Sequence, residues 1–155
     1  MIVTHPSPNH SPRRRKIRVI VLHASAGKSD RGDVSWIQSA ASKVSYHVLI
    51  GRDGAVYVFV PDERRAWHAG ISTWQGTHNV NDFSLGLSWA NKHDGTEPLT
   101  AAQIASAGKV IRAWLGKHPS IEAIVTHQEI APGRKSDPHK VPNFVREEWQ
   151  VERFR

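Results

Sequence analysis

The run Ile17-Arg-Val-Ile-Val-Leu22 constrains this chain more than any other stretch. It is short, β-branched and nearly continuous in apolar residues, the pattern of a strand buried on both faces. Such a strand needs a packed layer on each side of its sheet. The remaining sequence offers the parts. Ser45–Ile50 reads as a second strand, Asp53-Gly54 as a hairpin turn and Ala55–Val60 as the returning strand. Tyr46 and His47 then point to opposite sides by the two-residue period. Phe83–Ala90 is a further strand, with Gly86 allowing close backbone approach, and Ile121–Val125 is the last. Asp33 can cap a helix over Val34–Lys43, where Trp36, Ile37 and Ala40 have helical spacing. Thr100 caps a longer helix, Ala101–Lys117, with an apolar stripe of Ile104, Val110, Ile111, Trp114 and Leu115. Gly116 and Pro119 mark its end, and Val141–Val151 reads as a terminal helix. The expected fold is α/β: a single domain with a central mixed β-sheet flanked by α-helices.

Composition narrows the class. At 155 residues the chain is long enough for one domain with a real core, and 39% hydrophobic residues argue against both disorder and a membrane protein. With no cysteine, disulfides and thiolate ligands are excluded, leaving His, Asp and Glu for any metal. The net charge of +7 draws the chain to polyanions, from nucleic acid to an acidic cell wall, without choosing among them. A nucleic-acid partner is not expected, because no helix clusters Arg and Lys and no aromatic-basic repeat occurs. No apolar stretch approaches a membrane span or a secretory signal. Residues 1–16, rich in Pro, Ser and His and ending in Arg13-Arg-Arg-Lys16, read as a flexible basic arm ahead of a domain over 17–155. Ile71–Asp82, polar and carrying Trp74 and His78, reads as a mobile loop at the rim of a cleft.

Two places carry candidate chemistry. His23 stands at the end of the first core strand, where a rigid element would hold it precisely. The stretch Val125–His139 leaves the last strand and places His127, Arg134, Lys135 and Asp137 in a loop broken by Pro132, Gly133 and Pro138. Catalytic zinc takes three protein ligands plus water, and His127 and Asp137 would supply two. A basic surface loop with a capping Asp is the plainer alternative. The two His are 127 − 23 = 104 residues apart, so they meet only if the first and last strands are neighbours with matching ends.

Six segments in order give the chain a family resemblance: Val19–Ser25, Ser45–Gly54, Ala66–Gly70, Asn81–Leu87, Leu99–Gln103 and Thr126–Pro138. Together they resemble the type 2 N-acetylmuramoyl-L-alanine amidases, a zinc family that includes phage lysozymes of the amidase kind and peptidoglycan recognition proteins. The resemblance runs from about Ile17 to Phe144. It implies Zn²⁺ held by His23, His127 and Asp137, with Lys135 near the scissile carbonyl, Tyr46 as a catalytic tyrosine and His68 in contact with substrate. One position departs from many bacterial members: Ser88 stands where they carry a Glu able to act as general base, and a hydroxyl is a poor base near neutral pH.

The implied activity is zinc-dependent hydrolysis of the amide joining N-acetylmuramic acid to L-alanine in peptidoglycan. The short, basic chain without an export signal points to a monomeric phage or prophage endolysin, made in the cytoplasm and acting on the wall after release. A cytoplasmic amidase that recycles muropeptides and a non-catalytic peptidoglycan-binding module are the alternatives.

Overall fold

The computed structural model describes residues 1–155. Ten strands are present: β1 (Ile2–Thr4), β2 (His10–Pro12), β3 (Val19–Ala24), β4 (Val48–Ile50), β5 (Val56–Val58), β6 (Arg64–Ala66), β7 (Thr73–Trp74), β8 (Thr77–His78), β9 (Ser84–Trp89) and β10 (Ala123–Thr126). The helices are α1 (Asp30–Gln38), α2 (Ala101–Lys117) and the single turn α3 (His127–Ile130). Six strands form the central sheet in the order β1-β5-β4-β9-β3-β10. All its neighbours are parallel except the β4–β5 hairpin, so the sheet is mixed as expected. The last strand lies beside the first core strand, with Thr126 opposite Leu22.

Alternation along the strands sorts the core into two layers. Ile20 and Leu22 of β3, Leu85, Leu87 and Trp89 of β9, and Val48 and Ile50 of β4 face α2, where Ala107, Ile111, Trp114 and Leu115 meet them. Fully burying each large apolar side chain there contributes about 1.5–3 kcal/mol. Thr100 closes a capping box with Gln103, satisfying donors that helix geometry leaves unpaired. The opposite face carries Val19 and Val21 against Phe83, Val125 and Ile130, and Leu49 against Ile37 of α1. His23, Gly86 and Ser88 belong to that second face.

Several expectations are corrected. Residues 1–16 are not a loose arm: β1 extends the central sheet beside β5, and β2 pairs with β6. Ser7 and Asn9 are buried, and the Asn9 amide donates to the carbonyls of Ile37, Ser39 and Val44, closing the C-terminal end of α1. Helix α1 starts earlier than the spacing predicts, because Ser29 rather than Asp33 is its N-cap, and it stops at Gln38. Tyr46 and His47 do not alternate, since the backbone there bends before β4 begins, and both lie on the face away from α2. Ile71–Asp82 is not a structureless loop but holds the β7–β8 hairpin and a 3-10 turn. The terminal helix is absent. Pro142 cannot donate within a helix, and Asn143 spends its side chain on the backbone of Leu99, leaving only the 3-10 turns Arg146–Glu148 and Val151–Arg153. Ile104 is exposed at 38%, so the buried stripe of α2 turns instead on Gln103 and Ala107.

Candidate metal centre and cleft

The parallel register of β3 and β10 delivers His23 and His127 to the same end of the sheet, each one residue beyond the Leu22–Thr126 pair. Thr126 then caps α3 in a reciprocal box with Glu129, and this turn sets the direction of His127. The loop after α3 returns Asp137, whose carbonyl accepts from the Gln128 N–H at 3.1 Å. All three side chains are buried.

Their ligand atoms converge. The Nδ1 atoms of His23 and His127 are 3.1 Å apart. Asp137 places Oδ2 3.3 Å from His23 Nδ1 and Oδ1 3.1 Å from His127 Nδ1. Donors held about 2.0–2.1 Å from a tetrahedral zinc ion sit about 3.3 Å from one another, so the spacing of this His₂Asp group fits a single such ion. The rear of each ligand is fixed as well. His127 Nε2–H donates to the Ala69 carbonyl at 3.0 Å. His23 Nε2 meets His68 Nδ1 at 2.9 Å, and His68 Nε2 meets Ser84 Oγ at 3.0 Å. A single tautomer set satisfies this chain: His23 and His68 each donate from Nε2, leaving both ligand Nδ1 lone pairs facing inward. The Ala24 N–H donates to Asp137 Oδ2 at 3.2 Å.

Electrostatics favour the ligand states. Burial, together with His127, pushes His23 down to about 4, so its ring is neutral near pH 7. Burial alone would raise Asp137, but hydrogen bonds with His127 and His23 outweigh it and hold the carboxyl well below its usual range. His68 is likewise held neutral, first by burial and then by neighbouring His23 and His47.

His127 and Asp137 line a cleft of about 500 Å³, and His23, 1% exposed, is buried against them. Lys135 and Arg134 line one side, exposed at the loop surface, and Arg134 is anchored by bonds to the Ala69 and Ile71 carbonyls. Gly70, at φ +61°, brings that backbone within reach, because a Cβ there would stand 3.0 Å from the Arg134 guanidinium. Tyr46 is 9% exposed, its ring 5.0 Å from that of His23. Burial first, then Asp137 and Asp33, push its phenol well above the ordinary value, while a hydrogen bond with Ser88 opposes them. Ser88 is fully buried opposite His23 in the sheet register.

The six residues singled out from sequence therefore gather at one place, with a difference in depth. His68, expected against substrate, lines the cleft at 5% exposure and also contacts the ring of His23, which is 1% exposed. Among the cleft residues to which the sequence assigned no part in the site are Asp33 and Trp36. Their spacing of three on α1 was the available signal. Trp74 packs on Phe83 and under Arg18 rather than lying free at the rim.

Comparison with known proteins agrees with this geometry. The family profile described as N-acetylmuramoyl-L-alanine amidase matches residues 13–140. The chain is 44% identical over 107 residues to the 1,6-anhydro-N-acetylmuramyl-L-alanine amidase AmpD of Escherichia coli, covering 67% of this chain and 56% of that protein. A crystal structure of an AmpD derivative superposes with a TM-score of 0.82 at 31% identity, over 99% of this chain and 92% of that one. The E. coli amidase AmiD, solved with anhydro-N-acetylmuramic acid-L-Ala-D-γ-Glu-L-Lys, gives a TM-score of 0.71 at 28% identity, over 80% of this chain and 53% of that one. The chain thus spans about half the length of several curated relatives. No helix is long and apolar enough to cross a membrane. On the extent of the profile match and the order of its motifs, the chain belongs to the N-acetylmuramoyl-L-alanine amidase family.

Proposed function

We propose that this chain hydrolyses the amide between N-acetylmuramic acid and L-alanine, and that its substrates are soluble muropeptides, the 1,6-anhydro forms among them. The observation that carries the reading is the convergence of His23, His127 and Asp137 on one point beside the cleft that His127 and Asp137 line. These three residues would hold Zn²⁺. Bound there, zinc supplies a Lewis acid that polarises a carbonyl oxygen and brings the pKa of water toward about 7.

The remaining steps fall to the chain's own groups. The Lys135 ammonium faces the cleft and opposes negative charge growing on the carbonyl oxygen. Tyr46 stays protonated, because burial and two carboxylates disfavour its anion. It therefore acts as a hydrogen-bond and proton donor beside the His23 ring. His68 lines the cleft and holds the His23 ring through the 2.9 Å bond to Nε2. Apolar walls from Ile37, Val44 and Ala69 limit the water around the reacting amide.

The soluble substrate is preferred over intact wall, in place of the endolysin expected from length and charge, because the curated relatives carry names of 1,6-anhydro-muropeptide amidases. The structural neighbours PlyL and XlyA share 20% and 22% identity, which supports the fold alone. The AmiD complex contains a stem peptide ending in L-Lys, and we extend that class, a peptide with a free side-chain amine, to this chain. The test compares release of stem peptide from anhydromuropeptides and from purified sacculi. Faster turnover of the soluble fragments, abolished by a chelator and restored by zinc, is expected. Preference for sacculi would return the endolysin reading, and full activity in metal-free protein would remove the zinc mechanism.

A further inference from the structure

Helix α1 turns a second chemistry toward the cleft. Asp33, Trp36 and Ile37 sit at i, i+3 and i+4, so one helical face places all three in the cleft wall. Asp33 is only 7% exposed, although Ser29 already caps the helix. Solvated first-turn carboxylates that merely favour a helix dipole are not buried.

The carboxylate is held but incompletely paired. Ser25 Oγ donates to Asp33 Oδ2 at 2.6 Å, while Oδ1 accepts no hydrogen bond from the protein. Room for it exists only because residue 27 is glycine: a Cβ there would lie 1.7 Å from Oδ1. The nearby cation Arg52 is committed elsewhere, bonding Asp30 at 2.7 Å and Glu97 at 2.6 Å. Burial raises the Asp33 carboxyl above its ordinary value, so a cation arriving from the cleft would relieve an unfavourable state. One helical turn on, Trp36 leaves its indole 59% exposed at the mouth of the cleft. A carboxylate beside an open indole matches an alkylammonium: the charge for the former, the methylenes and cation–π contact for the latter. Lys43, Arg134 and Lys135 are the cations lining the cleft, suited to peptide carboxylates instead.

We propose that Asp33 and Trp36 form a subsite for the side-chain ammonium of a diamino acid in the stem peptide. This rests on the muropeptide amidase reading, and it makes α1 the element that selects among stem peptides.

The experiment uses zinc-loaded protein and two substrates, anhydromuramyl-L-Ala-γ-D-Glu-L-Lys and the same molecule acetylated on its lysine amine. Wild-type protein should show kcat/KM at least tenfold higher for the free amine, with the difference in KM. In Asp33→Asn, which keeps the side-chain volume and the Ser25 contact, that ratio should fall to within twofold, with zinc content and melting temperature retained. Trp36→Ala, at an exposed position, should lower the ratio at least threefold, and decides the matter if Asp33→Asn fails to fold. Equal kcat/KM for both substrates in wild type, or an undiminished ratio in the variants, overturns the subsite but leaves the amidase reading. Cleavage of neither substrate overturns both.

Discussion

Gly86→Ala tests how far the His68 ring, bonded to His23, governs the metal centre. An ideal Cβ at position 86 would stand 2.6 Å from His68 Cγ, 2.8 Å from Cδ2 and 2.9 Å from Nδ1. Carbon atoms rest at about 3.5–4.0 Å, so the ring has to retreat by about 1 Å. The His68–His23 bond is 2.9 Å long, and a shift of that size stretches it beyond hydrogen-bonding range. His23 then loses the partner that fixes its tautomer and its angle. Loss of such an outer partner typically costs about 10–100-fold in metal affinity, or about 1.4–2.8 kcal/mol. Overpacking adds about 1–3 kcal/mol of lost fold stability, so the variant is to be measured below its melting transition. The assay is competition for zinc against a chromophoric chelator at neutral pH. Ser84→Ala is the control: it removes only the far partner of His68 and should weaken zinc binding by less than about threefold. A folded Gly86→Ala protein with wild-type zinc affinity would falsify the claim that His68 positions the ligand.

Three further outcomes are expected. Lys135→Ala should retain zinc, since an ammonium does not ligate, and lower kcat by about a hundredfold; steady-state kinetics with metal analysis checks both halves. Tyr46→Phe should keep fold and metal and lower kcat by about a hundredfold if the phenol moves a proton, whereas Ser88→Ala, which only loosens the phenol, should cost about tenfold or less; a reversed order would place the proton chemistry on Ser88. His47 is buried and pushed down to about 4, against about 6.5 unfolded, so the unfolded chain takes up its proton first as pH falls. Its contribution is complete above pH 6.5 and is lost between 6.5 and 4, a change on the order of 3 kcal/mol. Urea unfolding of chelator-treated His47→Asn should show a shallower stability slope than wild type in that window.

The parts of this structure that rest on a local pattern were legible in the sequence. The Ile17–Leu22 run, the hairpin at Asp53-Gly54 and the Thr100 capping box each carry their own geometry, and each stands where expected. The metal trio was different. Its members are 104 residues apart, no spacing rule joins them, and only the ordered family motifs pointed to the pairing that the β3–β10 register creates. What composition hid was pairing by backbone. Met1–Ser11 is polar and proline-rich, but β1 needs only free N–H and C=O groups on the edge of β5. Asn9 acts through one amide reaching several carbonyls. Asp33 was misread because Ser29 and Asp33 are both acceptable caps by residue type, and only burial separates them. His68 sits in a motif that names its neighbourhood without saying that its ring bonds His23.

The placement of β3 between β9 and β10 also sets the order in which the molecule can mature. Both of its partners lie far along the chain, the nearer beginning at Ser84 and the farther at Ala123. Pairings of such sequence separation carry a large closure entropy and form slowly. During synthesis His23 emerges early, whereas His127 and Asp137 follow only after α2 has been made. Capture of an ion by all three ligands therefore waits until β10 and the loop after it have been made. A nascent or proteolytically nicked chain that lacks the β10 edge has no complete coordination set, and metal uptake becomes a report on whether the last strand has docked.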